Sequence, residues 1–201
     1  RLAALAADHQ KVIAIGGLHR GEGRTTVLIC LARMLARRGL NVAVADADFG
    51  HPTLAVRLGV SVEHGWETVL AREYPLSEVA VESREDNMTV LPLIGPLENA
   101  AKLAAGLGAS VSLGILRKNY DIVLLDVGPI LEDDSTAIPL LGRTGANGLL
   151  LVCDVRATDA DEVAEAGRRL EEIGVPILGL AENFVHAESV RPRGTVLGAA
   201  G

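Results

Sequence analysis

Short apolar runs recur along the chain, separated by stretches of helical character. The runs are Val12 to Gly17, Val42 to Ala45, Met88 to Ile94, Ile122 to Leu125, Leu149 to Cys153 and Pro176 to Leu180. They are nearly continuous in Val, Ile, Leu and Ala rather than alternating, which is how strands buried on both faces read. Between them, the segment from Thr25 to Arg38 places Leu28, Leu31, Ala32 and Leu35 on one helical face, and Gly39 stands where a C′ glycine belongs. From Thr158 to Ile173 the stripe is Val163, Ala166, Gly167 and Leu170, with Thr158 and Asp161 as the expected capping pair and Gly174 after the end. Strands alternating with helices predict parallel βαβ units with right-handed crossovers.

The expectation is one α/β domain over 1–201, a three-layer fold with a mostly parallel, doubly wound sheet between helices. Residues 1–10 read as an N-terminal remnant and 185–201 as a C-terminal tail expected to be poorly ordered. Composition agrees: 49% of the residues are hydrophobic but only 2% are aromatic, so the core must be aliphatic. A net charge of -7 argues against nucleic-acid binding over the whole surface. Nearly all of the nineteen basic residues are arginine, which we read as compositional bias. Cys30 and Cys153 lie far apart in apolar stretches and read as two buried thiols rather than a disulfide or metal motif. No apolar run is long enough to suggest a membrane span, and no signal peptide is visible. Arg1 in place of Met leads us to expect a piece of a longer protein.

The first strand runs into Gly16-Gly17 and then Leu18-His19-Arg20-Gly21-Glu22-Gly23-Arg24-Thr25-Thr26 before a helix. Strand, glycine-rich loop and helix N-terminus make an anion site, because backbone N–H groups converge there and the helix dipole favours negative charge. Gly21 and Gly23 allow tight curvature, and Thr25 is placed to offer its hydroxyl to magnesium. Against the general G-x-x-x-x-G-K-[ST] pattern, Leu18 replaces the first glycine and Arg24 the lysine. A ligand-free glycine turn is the alternative for the loop taken alone.

Two further strands end in carboxylates. Val42 to Ala45 leads to Asp46-Ala47-Asp48, and Ile122 to Leu125 leads to Asp126, then Val127-Gly128-Pro129. Strand C-terminal ends are where open α/β sheets bind ligands, and an apolar run closed by Asp is the Walker B pattern. Asp126 taken singly reads equally well as a cap for a following helix. The phosphate loop, Asp-x-Asp and Asp-x-x-Pro in this order make the nucleotide reading.

With these residues in view, the chain resembles the deviant-Walker P-loop ATPases, which include chromosome-partitioning and septum-site ATPases, and above all the bacterial tyrosine kinases of capsule and exopolysaccharide synthesis. Gly21 to Thr26 match the phosphate loop, Asp46-Ala47-Asp48 with Pro52 match the Walker A′ motif, and Asp126 to Pro129 match Walker B. Gly65 to Leu70, Leu91-Pro92 with Gly95-Pro96, Tyr120-Asp121, Arg156 and Thr158, and Gly179 with Asn183 extend the likeness over most of the chain.

The resemblance implies a cytoplasmic ATP-binding domain, with a polysaccharide co-polymerase partner or flanking segments as the expected link to the inner face of the membrane, and with a homo-oligomer expected. It implies phosphate contacts from Arg20, Gly21, Glu22, Gly23, Arg24, Thr25 and Thr26, and an adenine contact from Asn183. Thr25, Asp48 and Asp126 would hold Mg2+, and Asp46, Arg24 and Asp126 would be the catalytic set.

The departures from the family split binding from catalysis. Kinase members carry lysine at the position of Arg24, and the exchange of a compact ammonium for a planar guanidinium is not conservative. They also end in a tyrosine cluster, whereas this chain has only Tyr74 and Tyr120 and none from Phe184 onward. Two alternatives follow: a catalytically degenerate nucleotide sensor that sets oligomeric state, and a partitioning-type ATPase, which the lack of a signature lysine near His19 disfavours. Charged runs elsewhere read plainly. Glu132-Asp133-Asp134 should open a helix with Asp134 or Ser135 as cap, Arg37-Arg38 oppose a helix dipole, and Arg168-Arg169-Glu171-Glu172 form a solvated face. His19 and Arg20 read as solvated loop residues or as partial stand-ins for the lysine. His51, in place of a family arginine, reads as a loop residue or as one facing the nucleotide or a second subunit.

Overall fold

The computed structural model describes residues 12–185, so the expected N-terminal remnant and nearly all of the tail lie outside the described residues. The strands are β1 (Val12–Gly17), β2 (Val42–Ala47), β3 (Val81–Ser83), β4 (Met88–Leu91), β5 (Ile122–Pro129), β6 (Gly148–Asp154) and β7 (Ile177–Asn183). The helices are α1 (Arg24–Ala36), α2 (Leu54–Leu58), α3 (Trp66–Leu70), α4 (Leu76–Val79), α5 (Ala100–Ala104), α6 (Leu107–Asn119), α7 (Ala137–Thr144) and α8 (Ala160–Glu172). The strands form one sheet in the order β3-β4-β2-β5-β1-β6-β7. Every pairing is parallel except β3 with β4.

The continuous apolar runs send alternate residues to two helix layers. Ile13, Ile15, Val42, Val44, Ile122 and Leu124 face the layer containing Leu28, Leu31, Ala32 and Leu35 of α1. Val12, Ala14, Ala43, Ala45, Val123 and Leu125 face the other layer, where Leu113, Leu116, Leu140, Phe49 and Trp66 pack. Ala14, Ala43 and Ala45 there leave room for the large side chains above them, as close packing requires. The result is the expected three-layer α/β fold.

Chain direction reverses around β1 and β5. From β1 the chain crosses β5 to reach β2, whereas from β5 it crosses β1 to reach β6. The crevice above the carboxyl ends of β1 and β5 is therefore the topological switch point, where such sheets bind ligands.

Several local expectations are corrected. The third run ends at Leu91, because Pro92 has no N–H for the ladder and its carbonyl instead accepts Trp66 N–H at 2.7 Å. The edge strand β3 was not expected from the sequence. Cys30 is exposed, on the side of α1 away from Leu28 and Leu31, while Cys153 is buried as expected. The capping pair of α8 lies one residue later than expected, at Asp159 and Glu162, with Asp161 N–H donating to Asp159 at 2.8 Å and Asp159 N–H to Glu162 at 3.1 Å. Thr158 instead closes a turn through Asp154. The helix after Glu132-Asp133-Asp134 starts only at Ala137, and Ser135 Oγ accepts the Ala137 N–H at 3.2 Å.

Candidate functional site

The phosphate loop leaves β1 at the switch point and enters α1 through Gly23, whose φ of 85° only glycine adopts readily. No side chain caps α1. Its first N–H groups and the positive end of its dipole therefore face the cleft beside the loop, the arrangement that binds anions. A cavity of about 410 Å³ opens there, lined by Gly21, Gly23, Arg24, Thr25, Thr26, Thr53, Arg57, Asn183 and Phe184. A larger groove of about 610 Å³ lies between α8 and the start of β7, but its charged lining is only Arg168 and Glu171, and it meets no glycine loop.

The loop is held in shape by its own carboxylate. Glu22 is buried and accepts N–H bonds from Leu18 at 2.6 Å and His19 at 3.2 Å. Burial raises its pKa, and those two bonds pull it back. The Glu22 side chain is thus folded beneath the loop, leaving its backbone to face the cleft. Arg20 is also turned aside. Its N–H donates to Glu132 at 2.9 Å, and its guanidinium binds Glu132, Asp134 at 2.9 Å and the Nδ1 of His51. The acidic run after β5, read from sequence as a helix opening, is therefore a clasp on the phosphate loop. His19 pairs with Glu162 at 2.9 Å, tying the loop to the first turn of α8.

Strand register brings the carboxylates together. Asp46 of β2 and Asp126 of β5 are direct partners in a parallel pair. Asp46 is fully buried and accepts N–H bonds from Leu54 at 2.9 Å and Asp48 at 3.3 Å. Burial, then repulsion from Asp126, hold its pKa well above the usual carboxylate range. Asp126 is raised to about 6, chiefly by burial, with the Thr25 hydroxyl and the Arg24 guanidinium opposing the shift. Two neighbouring carboxylates that resist ionisation form a site that gains from an added cation.

Arg24 is the cation already present. Its side chain is only 11% exposed, and it donates to Val127 O at 2.8 Å and to Asp48 at 3.1 Å. It therefore spans from the loop to both carboxylate strands. Thr25 bonds Thr53 at 3.0 Å, which brings the start of α2 into the cleft wall. Thr25 and Asp126 suit magnesium, which takes one or two protein oxygens and completes its shell from phosphate and water. Asp48 is committed to Arg24 and to the His51 N–H at 3.1 Å.

Asn183 closes the far side of the cleft. Its Nδ2 donates to Glu22 O at 2.9 Å, and its Oδ1 accepts the Phe184 N–H at 2.9 Å. A Cβ on Gly23 would lie 2.2 Å from that Nδ2, so β7 and the phosphate loop pack flush. Thr53, Arg57, Phe184 and the Glu132/Asp134 clasp were missed by motif reading, because none belongs to a phosphate or carboxylate signature.

A family model described as AAA domain matches residues 10–141. The tyrosine-protein kinase YwqD of Bacillus subtilis is 28% identical over 180 residues, covering 89% of this chain and 74% of that protein. The kinase domain of Escherichia coli tyrosine kinase ETK superposes with a TM-score of 0.84 at 27% identity, over 98% of this chain and 74% of that one. The septum site-determining protein MinD of Pyrococcus horikoshii, solved with Mg-ADP, shares the fold at a TM-score of 0.73 and 24% identity, over 85% of this chain and 68% of that one. With well over half its length matched, this chain belongs to the AAA domain family, as a P-loop nucleotide-binding domain similar to bacterial tyrosine kinases.

Proposed function

We propose that the chain binds Mg-ATP and is built as a phosphoryl-transfer domain of the bacterial tyrosine-kinase type, with transfer slowed by Arg24. The observation that carries this reading is the meeting of an uncapped phosphate loop with Asp46 and Asp126, side by side in register at the switch point. The loop amides from Gly21 to Thr26 hold the phosphates. Magnesium, with Thr25 and Asp126 as ligands, would neutralise developing charge on them. Asp46, paired with Asp126 at the carboxyl end of β2, would accept the proton of an acceptor hydroxyl in its ionised form. Tyrosine hydroxyls on another chain are the expected acceptors, and the family likeness suggests a membrane-bound polysaccharide co-polymerase as partner and self-association of the domain.

Arg24 weakens transfer because it is anchored on Asp48 and Val127 O rather than free to follow the phosphates. Phosphoryl transfer on a tyrosine peptide should rise at least about tenfold in Arg24→Lys, while Mg-ATP affinity changes little. Full turnover in the native chain, unimproved by lysine, would remove the weakening. The same anchor favours a second reading, a nucleotide sensor without catalysis. That reading requires tight binding and no transfer in the native chain, with transfer restored in Arg24→Lys.

A further inference from the structure

The phosphates of a nucleotide bring negative charge to a chain whose own net charge is -7, so the cleft that takes them needs local positive charge. Two cations line that cleft, Arg24 and Arg57, and no carboxylate does. They differ in what holds them. Arg24 is nearly buried and spends its guanidinium on Val127 O and Asp48, so following the phosphates would mean giving up both bonds. Arg57 is exposed, and among the described residues its side chain has no hydrogen-bond or ion-pair partner.

The backbone beneath Arg57 is fixed to the site. α2 opens at Leu54, which is fully buried and donates its N–H to Asp46 at 2.9 Å. Thr53, just before it, meets the Thr25 hydroxyl at 3.0 Å. Arg57 follows Thr53 by one helical turn, with its N–H donating to Thr53 O at 3.0 Å, so both side chains stand on the face of α2 that walls the cleft. Gly59, with φ 66°, then ends the helix. A long side chain without a partner thus rises from a base tied to the phosphate-loop helix and to a carboxylate strand. The alternative role for Arg57 is a cation in the last turn of a short helix, opposing its dipole. That role requires no place on the cleft wall, and it acts on stability rather than on affinity.

We propose that Arg57 is the free cation of the phosphate site, so that the side-chain charge meeting the phosphate chain comes from α2 and not from the tethered Arg24 of the loop. This rests on the reading of the loop as the phosphate site. A guanidinium matches phosphate oxygens with two parallel N–H bonds, and one that is unpaired beforehand breaks nothing to make them.

The test measures Mg-ATP affinity by calorimetry in the native chain, Arg57→Gln, Arg57→Lys, Arg24→Lys and the double variant Arg24→Lys/Arg57→Gln. Arg57→Gln should weaken Mg-ATP about tenfold at low salt, and magnesium with inorganic triphosphate by a similar factor. The loss should shrink as salt is raised. Arg57→Lys, which keeps the charge, should stay within about threefold of the native chain. In the Arg24→Lys background, Arg57→Gln should cost less than about threefold, because a lysine at position 24 then shares the task. Native affinity in Arg57→Gln, whether or not its melting temperature falls, would leave Arg57 only the dipole role and overturn the proposal. A loss that is as large in the Arg24→Lys background, or that salt leaves unchanged, would overturn it too. A native chain that binds neither Mg-ATP nor triphosphate defeats the phosphate-site reading, and this inference with it.

Discussion

Asp126 shows what each residue of the site costs the fold. Its pKa of about 6 stands above the ordinary 3.8, mainly because it is buried. The folded chain therefore holds this proton more tightly than the unfolded chain, so stability falls as pH rises between those values and stays reduced above them. The penalty near neutral pH is on the order of 3 kcal/mol for a shift of this size. Asp126→Asn should raise the melting temperature at about pH 7.5, with a gain that fades toward about pH 4. A variant that melts below the native chain at the higher pH would contradict this account. Glu22 is a second carboxylate whose pKa is raised by burial, but the N–H groups of Leu18 and His19 offset part of that cost. Glu22→Ala should cost about 1–3 kcal/mol in denaturant unfolding by leaving those donors without a partner. A loss below about 0.5 kcal/mol would show that the loop keeps its shape without this staple.

The elements were legible where periodicity and caps agree. The face of α1 is buried as its spacing predicts, and Gly39 adopts φ 87° after its end. Boundaries were less legible. Asp159 and Thr158 are both competent caps, and the capping box with Glu162 decides between them. Asp159→Ala should destabilise the chain by about 1 kcal/mol, and an unchanged denaturation midpoint would show that the box adds nothing. The short strand β3 carries no apolar signature, because an antiparallel edge needs only one neighbour to order it. Site chemistry was legible for the same reason as the long strands: Asp46 and Asp126 close apolar runs, and parallel register makes them partners. The clasp of Arg20 by Glu132 and Asp134 was not, since these residues lie more than a hundred positions apart and meet only through the crossover of β5 and β1. Phe184 was missed because a single aromatic after a strand has no motif around it.

At the scale of the molecule, the winding of the sheet produces the site. Adjacent strands β1 and β5 send the chain in opposite directions, and the loop, both carboxylate strands and the end of β7 converge above them. A ligand in that crevice touches segments from Gly21 to Phe184, so its binding should stabilise the whole fold. At a concentration about a hundred times Kd, Mg-ATP should add about 2.7 kcal/mol, or about 5–10 °C in melting temperature for a chain of this size. The central claim is that this crevice binds a nucleotide by its phosphates. Calorimetric titration of Mg-ATP into the native chain tests it most directly. The account predicts saturable binding at one site per chain, at or below millimolar concentration. No heat and no saturation with either Mg-ATP or Mg-ADP at millimolar concentration would contradict it.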